Sequence, residues 1–160
     1  MLGPMATRVL MVCLGNICRS PLAEGIFQHL VDEGDLSDFY TVDSAGTGGW
    51  HAGSGPHEGS VAIAERHQID IRMQRSRQVT EHDLSESDWI IAMDEANLKH
   101  LLAMGAAPER TRLLLSFIPP GYARGVPDPY YEGGFDRVFD LVRDGCDHLL
   151  NFLEKCRQEP

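Results

Sequence analysis

Short, continuous apolar runs alternate along the chain with longer stretches in which apolar residues recur every three or four positions. The short runs predict strands buried on both faces, and the longer stretches predict amphipathic helices. The predicted strands are 8–12, 39–42, 89–93 and 112–115. The predicted helices run from Ser20-Pro21 to Gly34, over 57–67, over 94–104, and from Phe135 to about Leu153.

This alternation predicts an α/β fold of three layers, α/β/α, with a four-stranded parallel sheet covered by helices on both faces. The 160 residues suit one domain, so we expect a single domain over 1–160, with the patternless residues 1–6 disordered or tag-derived. Ligands of such sheets bind beyond the carboxyl ends of the strands. The Pro- and Gly-rich stretch 116–134, in which we expect no regular structure, should therefore meet the loop 13–20.

Composition narrows the class of protein. Apolar residues make up 42% of the chain and charged residues 24%, as in soluble globular proteins. The formal net charge of −10 disfavours nucleic acid and anionic membranes as partners. No apolar run approaches the roughly 20 residues of a membrane span, and no signal peptide is evident. Four cysteines without an extracellular signal indicate a reducing compartment, so we expect a cytoplasmic location.

The candidate chemistry lies between the first strand and the first helix. Cys13 and Arg19 are separated by five residues there, and Ser20-Pro21 opens the helix. Gly15 permits a close backbone approach, and Asn16 tolerates a left-handed conformation and can brace the loop. Loop amides and a helix N-terminus can surround a tetrahedral oxyanion, and they favour the thiolate form of a cysteine. The spacing therefore predicts phosphoryl transfer to the sulfur of Cys13.

Arg19 and Ser20 have separate predicted roles in that loop. The planar guanidinium of Arg19 matches two phosphoryl oxygens and should bind them most strongly in the transition state. Ser20 is placed to donate its hydroxyl to the sulfur of Cys13 and to act as the helix N-cap before Pro21.

Asp128 is the candidate acid and base. The leaving oxygen needs a proton, and Asp128 stands between two prolines in the stretch predicted to cover the site. The same carboxylate can then activate the water that releases phosphate. Trp50, Tyr130 and Tyr131 can form the walls of a slot for a flat ring, with Leu14 and Ile17 as the apolar contacts of the loop itself. We interpret the scattered histidines, His51 and His57 among them, as surface or capping residues.

The chain resembles the low-molecular-weight protein tyrosine phosphatase family over nearly its whole length. Three segments carry the resemblance, 12–21, 43–50 and 128–131. It implies cofactor-free and metal-free hydrolysis of phosphotyrosine through a Cys13 phosphoenzyme. The implied partners are a phosphotyrosine protein or peptide, a bacterial tyrosine kinase among the candidates, and phosphate or another oxyanion in the loop.

The resemblance also implies supporting residues. Asn16, Ser20 and Ser44 would form a hydrogen-bonded network that braces the loop. Some relatives extend this network to a histidine, and this chain has Gln74 there. Relatives can also close a disulfide between the nucleophile and a second cysteine, here Cys18, which would make the enzyme redox-sensitive. The alternative is that Cys18 is a small residue packed under the loop.

Three other functions remain as alternatives. Protein-arginine phosphatases are similar but tend to carry Thr where this chain has Ile17, and an apolar side chain favours an aromatic ester. Thioredoxin-linked arsenate reductases need two further cysteines, and residues 70–110 contain none. A non-catalytic phosphotyrosine-binding relative would be expected to lack Cys13 or Asp128, and both are present.

Overall fold

A computed structural model describes residues 5–121 and 124–159. Its centre is a four-stranded sheet with the order β2-β1-β3-β4, in which every neighbouring pair is parallel. The strands are β1 Thr7–Cys13, β2 Tyr40–Gly46, β3 Trp89–Ala92 and β4 Thr111–Leu113. The predicted α/β fold with a four-stranded parallel sheet is confirmed.

Helices cover both faces of this sheet. They are α1 Arg19–Glu33, α2 Glu58–Arg66, α3 Glu81–Glu86, α4 Glu95–Ala103, α5 Pro129–Glu132 and α6 Phe135–Gln158. In β1, Val9 and Met11 face the larger apolar core beneath α1, α2 and α6, while Leu10 and Val12 face the smaller core beneath α3 and α4. Burial on both faces explains why residues 9–13 of β1 form a continuous apolar run.

The helix after the Cys13 loop begins two residues earlier than predicted. Arg19 is its first residue and Cys18 occupies the N-cap position, so the prediction of Ser20 as the N-cap is wrong. Pro21 is tolerated in the first turn because the N–H groups there have no partner within the helix. The Ser20 hydroxyl, no longer needed as a cap, faces the sulfur of Cys13 instead.

Other differences arise from local chemistry that apolar spacing does not record. The helix α3 was not predicted; it begins with a capping box between Thr80 and Asp83. The stretch 116–134 is not wholly irregular, because it contains the end of a 3-10 helix, Leu114–Phe117, and the short helix α5. The prediction that residues 1–6 are disordered or tag-derived concerns mainly residues 1–4, which lie outside the described residues. Among the described residues, no helix has the length and apolar character needed to cross a membrane.

Candidate active site

One pocket of about 210 Å³ lies beyond the carboxyl end of β1. It brings together nearly all of the predicted pocket residues, although they come from three separate stretches of the chain. Its lining is Cys13, Leu14, Gly15, Ile17, Cys18, Arg19, Trp50, His51, Asp128, Tyr130 and Tyr131. The predicted convergence of the loop 13–20 with the stretch 116–134 is therefore observed.

The loop carbonyls turn away from this pocket. The carbonyl oxygens of Cys13 and Leu14 accept hydrogen bonds from the backbone N–H groups of residues 47 and 48, at 2.9 Å each. The single hydroxyl proton of Ser76 is shared between the carbonyls of residues 15 and 16, which lie 2.9 and 2.7 Å from Ser76 Oγ. The carbonyls of residues 17 and 18 accept from His57 N at 2.8 Å and Ser60 Oγ at 3.0 Å. Six consecutive carbonyls are thus bonded to groups outside the loop.

This arrangement sets the electrostatic character of the loop. A peptide unit whose carbonyl oxygen points outward presents its N–H on the opposite side, here toward the pocket. Asn16 enables the turn by adopting a left-handed conformation with φ of 56°, as its residue type predicted. Next to the loop, Gly46 has no room for a side chain, because a Cβ there would lie 2.9 Å from the Leu14 carbonyl oxygen. The loop therefore has the geometry of a preorganised cradle for an anion.

Arg19 is a buried cation at one side of the cradle, only 2% exposed. Its Nη1 donates to Asp94 at 2.6 Å and to the Val126 carbonyl at 3.0 Å, and its Nη2 lies 3.3 Å from Asp128 Oδ2. Burial opposes the charged form, but Cys13, Asp94 and Asp128 together raise the pKa of Arg19. Its Nε is buried and has no hydrogen-bond partner among the described residues. A buried donor of this kind is normally satisfied, so an anion is its expected acceptor.

Asp128 is held above the cradle by the start of α5. It is the N-cap of that helix, and its Oδ1 accepts from the Tyr130 N–H at 3.0 Å. The helix places Tyr130 and Tyr131 at the rim, where their rings meet edge to face with centroids 5.1 Å apart. Both rings, and that of Trp50, are exposed to solvent. A planar ring entering the pocket would meet these aromatic faces.

Beneath the loop, hydrogen bonds connect the predicted bracing residues. Cys13 Sγ lies 3.0 Å from Ser20 Oγ, and Asn16 Nδ2 donates to Ser20 Oγ at 2.8 Å and to Ser44 Oγ at 3.0 Å. Gln74 does not extend this network; its side chain donates to the Pro21 carbonyl at 3.1 Å. The Ser44 hydroxyl instead donates to Glu24 Oε1 at 2.6 Å.

Several residues of the site were missed from sequence. Asp94 had a readable signal, because it directly follows a buried strand at the edge where the ligand was expected. Ser76 and Glu24 had none, since only the tertiary fold brings them to the loop. His51 is partly exposed and lines the pocket, a place that its interpretation as a surface or capping residue did not include. His57 is correctly interpreted, because its Nδ1 accepts from Gly59 N at the start of α2.

Cys18 is the second thiol of the loop and is buried. Burial, with smaller contributions from Asp128 and Cys13, raises the pKa of Cys18 to about 12. Cys18 is therefore a neutral thiol at physiological pH.

A loop that faces a thiol toward an anion cradle, with a buried guanidinium beside it, is characteristic of cysteine-dependent phosphatases. The sequence model described as Low molecular weight phosphotyrosine protein phosphatase matches residues 8–159. The chain belongs to that family, whose members are cysteine-based hydrolases of phosphoproteins.

Similar proteins cover nearly all of the chain. The low molecular weight protein-tyrosine-phosphatase YfkJ of Bacillus subtilis is 44% identical over 152 residues, which are 94% of this chain and 97% of the relative. The crystal structure of YfkJ matches with a TM-score of 0.91 over 96% of this chain and 97% of that one, at 43% identity. A protein tyrosine phosphatase from Entamoeba histolytica, solved with Hepes in the active site, matches with a TM-score of 0.88 at 33% identity, over 95% and 99% of the two chains.

Proposed function

We propose that this protein hydrolyses phosphotyrosine in proteins or peptides, and aryl phosphates generally, through a phosphocysteine intermediate on Cys13. The main support is the outward orientation of six consecutive loop carbonyls. That orientation leaves the loop amides and Arg19 Nε to bind an oxyanion directly above the sulfur of Cys13. The preference for an aromatic ester is supported by the apolar Ile17 and the aromatic rim.

In the first step, the Cys13 thiolate attacks phosphorus, forming the S–P bond as the P–O bond to the tyrosine breaks. Asp128 donates a proton to the departing phenolic oxygen. The loop amides of residues 14–18 and the guanidinium of Arg19 bind the three equatorial oxygens, whose charge spreads in the transition state. Trp50, Tyr130 and Tyr131 hold the ring.

In the second step, water attacks phosphorus and the S–P bond breaks, which releases phosphate. Asp128, now a carboxylate, accepts the proton of that water. The Ser20 hydroxyl, which lies 3.0 Å from the sulfur, stabilises the departing thiolate of Cys13. Asn16 and Ser44 hold Ser20 in place.

The partner and the location belong to the same proposal. A bacterial tyrosine kinase is a candidate phosphotyrosine substrate. A reducing cytoplasm is supported by the four cysteines, all of them free thiols in the structure.

The test compares two variants with the wild type. Cys13→Ser should abolish turnover of aryl phosphates while phosphate binding persists, because the amides and Arg19 remain. Asp128→Ala should slow phosphotyrosine hydrolysis by about 10²- to 10⁴-fold, the usual size of general acid–base catalysis. The loss should be smaller with p-nitrophenyl phosphate, whose leaving group needs less protonation. Unchanged phosphotyrosine turnover in Asp128→Ala would overturn the assignment of the acid.

A further inference from the structure

Glu24 of α1 is a partly buried carboxyl that the two-step mechanism does not use. Its Oε1 accepts the Ser44 hydroxyl at 2.6 Å, the shortest contact of the network beneath the loop. Ser44 in turn lies near the end of β2 and contacts Asn16 of the Cys13 loop. A continuous path of hydrogen bonds therefore joins Glu24 to the sulfur of Cys13.

The direction of every hydrogen bond along this path follows from its two ends. At the loop end, the Arg77 backbone N–H donates to Asn16 Oδ1 at 3.0 Å, so the Asn16 amide group must present its two N–H donors to the serines. At the other end, Glu24 as a carboxylate can only accept, so Ser44 donates its single proton to Glu24 and accepts from Asn16. Ser20 also accepts from Asn16, which leaves its own proton directed at Cys13.

We propose that Glu24 is a positioning residue for the nucleophile: by accepting the Ser44 hydroxyl, it holds Asn16 and Ser20 so that the Ser20 proton faces the sulfur of Cys13. The inference rests on the proposed function, because it assigns Glu24 to the same thiolate. Some relatives are expected to end this path at a histidine, where this chain has Gln74. Here the path ends at Glu24, and the Gln74 side chain donates to the Pro21 carbonyl instead.

The surroundings of Glu24 indicate whether its charge or its hydrogen-bond acceptor holds Ser44. Asp43 and Arg77 face it from β2 and from the segment before α3, and His29, Asp32 and Asp70 line the same surface groove. Burial, countered by the Ser44 hydrogen bond, raises the pKa of Glu24 to about 7. Both the ionised and the neutral carboxyl offer an oxygen to Ser44, so the property required is an acceptor rather than a charge.

Two substitutions separate these properties. Glu24→Ala and Glu24→Gln both remove the charge, but only Glu24→Ala removes the acceptor. With p-nitrophenyl phosphate we expect kcat of Glu24→Ala to be about tenfold below that of Glu24→Gln, the effect of one hydrogen bond to a strongly coupled group. KM should differ by less than about twofold, because the amides and Arg19 bind the phosphate. Equal kcat values for the two variants would overturn the proposal.

The same bond can be broken from its other side. Ser44→Ala should lower kcat as Glu24→Ala does, and the double variant should be no slower than Ser44→Ala alone, since both remove one interaction. Fully additive losses would show that Glu24 acts by another route. Gln28→Ala is the matched control, because Gln28 lines the groove beside Glu24, and its side chain donates to Asp32 at 2.9 Å rather than to the network beneath the loop. It should keep the wild-type kcat.

A second readout does not depend on turnover. Iodoacetate alkylates the thiolate of Cys13, and we expect its rate constant in Glu24→Ala to be several-fold lower than in Glu24→Gln. A wild-type protein that hydrolyses no aryl phosphate would overturn the proposed function, whereas equal alkylation rates in the two variants would overturn the role of Glu24. The two failures are therefore distinguishable.

Discussion

At the scale of single residues, we expect Ile17 to be the side chain most directly tied to substrate choice. It lines the pocket and is 8% exposed, so a bound substrate group would cover its remaining apolar surface. We expect Ile17→Thr to lower kcat/KM for phosphotyrosine peptides, since one hydrophobic contact is worth about 1–3 kcal/mol. The same change should raise kcat/KM for phosphoarginine peptides, whose guanidino group can pair with the new hydroxyl.

The measurement is a comparison of the two peptide classes with both proteins. Ile17→Val is the matched control, because it keeps the pocket apolar and should preserve the preference for phosphotyrosine. A ratio unchanged by Ile17→Thr would assign the preference to the aromatic rim instead.

Cys18 allows a second prediction at this scale. Peroxide would convert the Cys13 thiolate to a sulfenic acid, and attack by the Cys18 sulfur would then form a disulfide with loss of water. We expect wild-type activity to return after treatment with dithiothreitol, whereas Cys18→Ser should lose activity irreversibly through over-oxidation of Cys13. Activity after peroxide and reductant, with intact mass, measures this. Equal recovery in both proteins would favour the interpretation of Cys18 as a packing residue.

At the scale of elements, the short helix α3 anchors the segment that holds Asn16. Asp83 of α3 accepts two hydrogen bonds from the Arg77 guanidinium, at 2.9 and 3.0 Å, and completes the capping box with Thr80. Burial alone would raise the pKa of Asp83, but the hydrogen bonds from Arg77 and Thr80 keep it below its usual value. The helix therefore fixes Arg77, whose backbone N–H orients the Asn16 side chain.

We expect Asp83→Ala to lower the free energy of unfolding by about 1–2 kcal/mol, through loss of the cap and of the Arg77 pair. Urea denaturation is the measurement. Glu81→Ala is the control within the same turn of α3, and it should stay within about 0.5 kcal/mol of the wild type. A decrease in kcat of Asp83→Ala would indicate that the displaced Arg77 loosens Asn16.

At the scale of the whole molecule, stability should depend on pH through Glu24. The pKa of this carboxyl is about 7 in the folded protein, against an ordinary value of 4.5. Between those values the folded state binds the proton that the unfolded state releases, so this contribution to stability is complete below about pH 4.5 and is lost as pH rises to about 7.

The matching variant is Glu24→Gln, which keeps the acceptor and cannot ionise. We expect its melting temperature to fall less than that of the wild type between acidic and mildly alkaline pH. Part of the decrease in melting temperature will remain in the variant. The chain has a net charge of −10, and repulsion among its negative groups increases as other carboxyls ionise. If the melting temperatures of the two proteins fall in parallel over this pH range, the assignment of this pH dependence to Glu24 is contradicted.

The sequence by itself determined the sheet, most of the covering helices and the Cys13 loop from which the chemistry is proposed. The apolar run in β1 and the recurrence of apolar residues every three or four positions in α6 indicate which faces of these elements are buried. The spacing of Cys13 and Arg19, with five residues between them, is a local property of one loop. Asp128 could be named from the sequence as a pocket residue, because the carboxyl ends of parallel strands meet at one edge of the sheet. What was missed locally, such as α3, depended on capping rather than apolar spacing.

Only the tertiary structure decided how the loop is oriented and braced. The donors for its carbonyls, the acidic partner of Arg19 and the acceptor for Ser44 come from distant stretches, and include Ser76, Asp94 and Glu24. The physical reason is that a hydrogen bond requires two groups within about 3 Å, in a suitable direction. That condition is met by the packing of separate elements, and no residue pattern within one element records it.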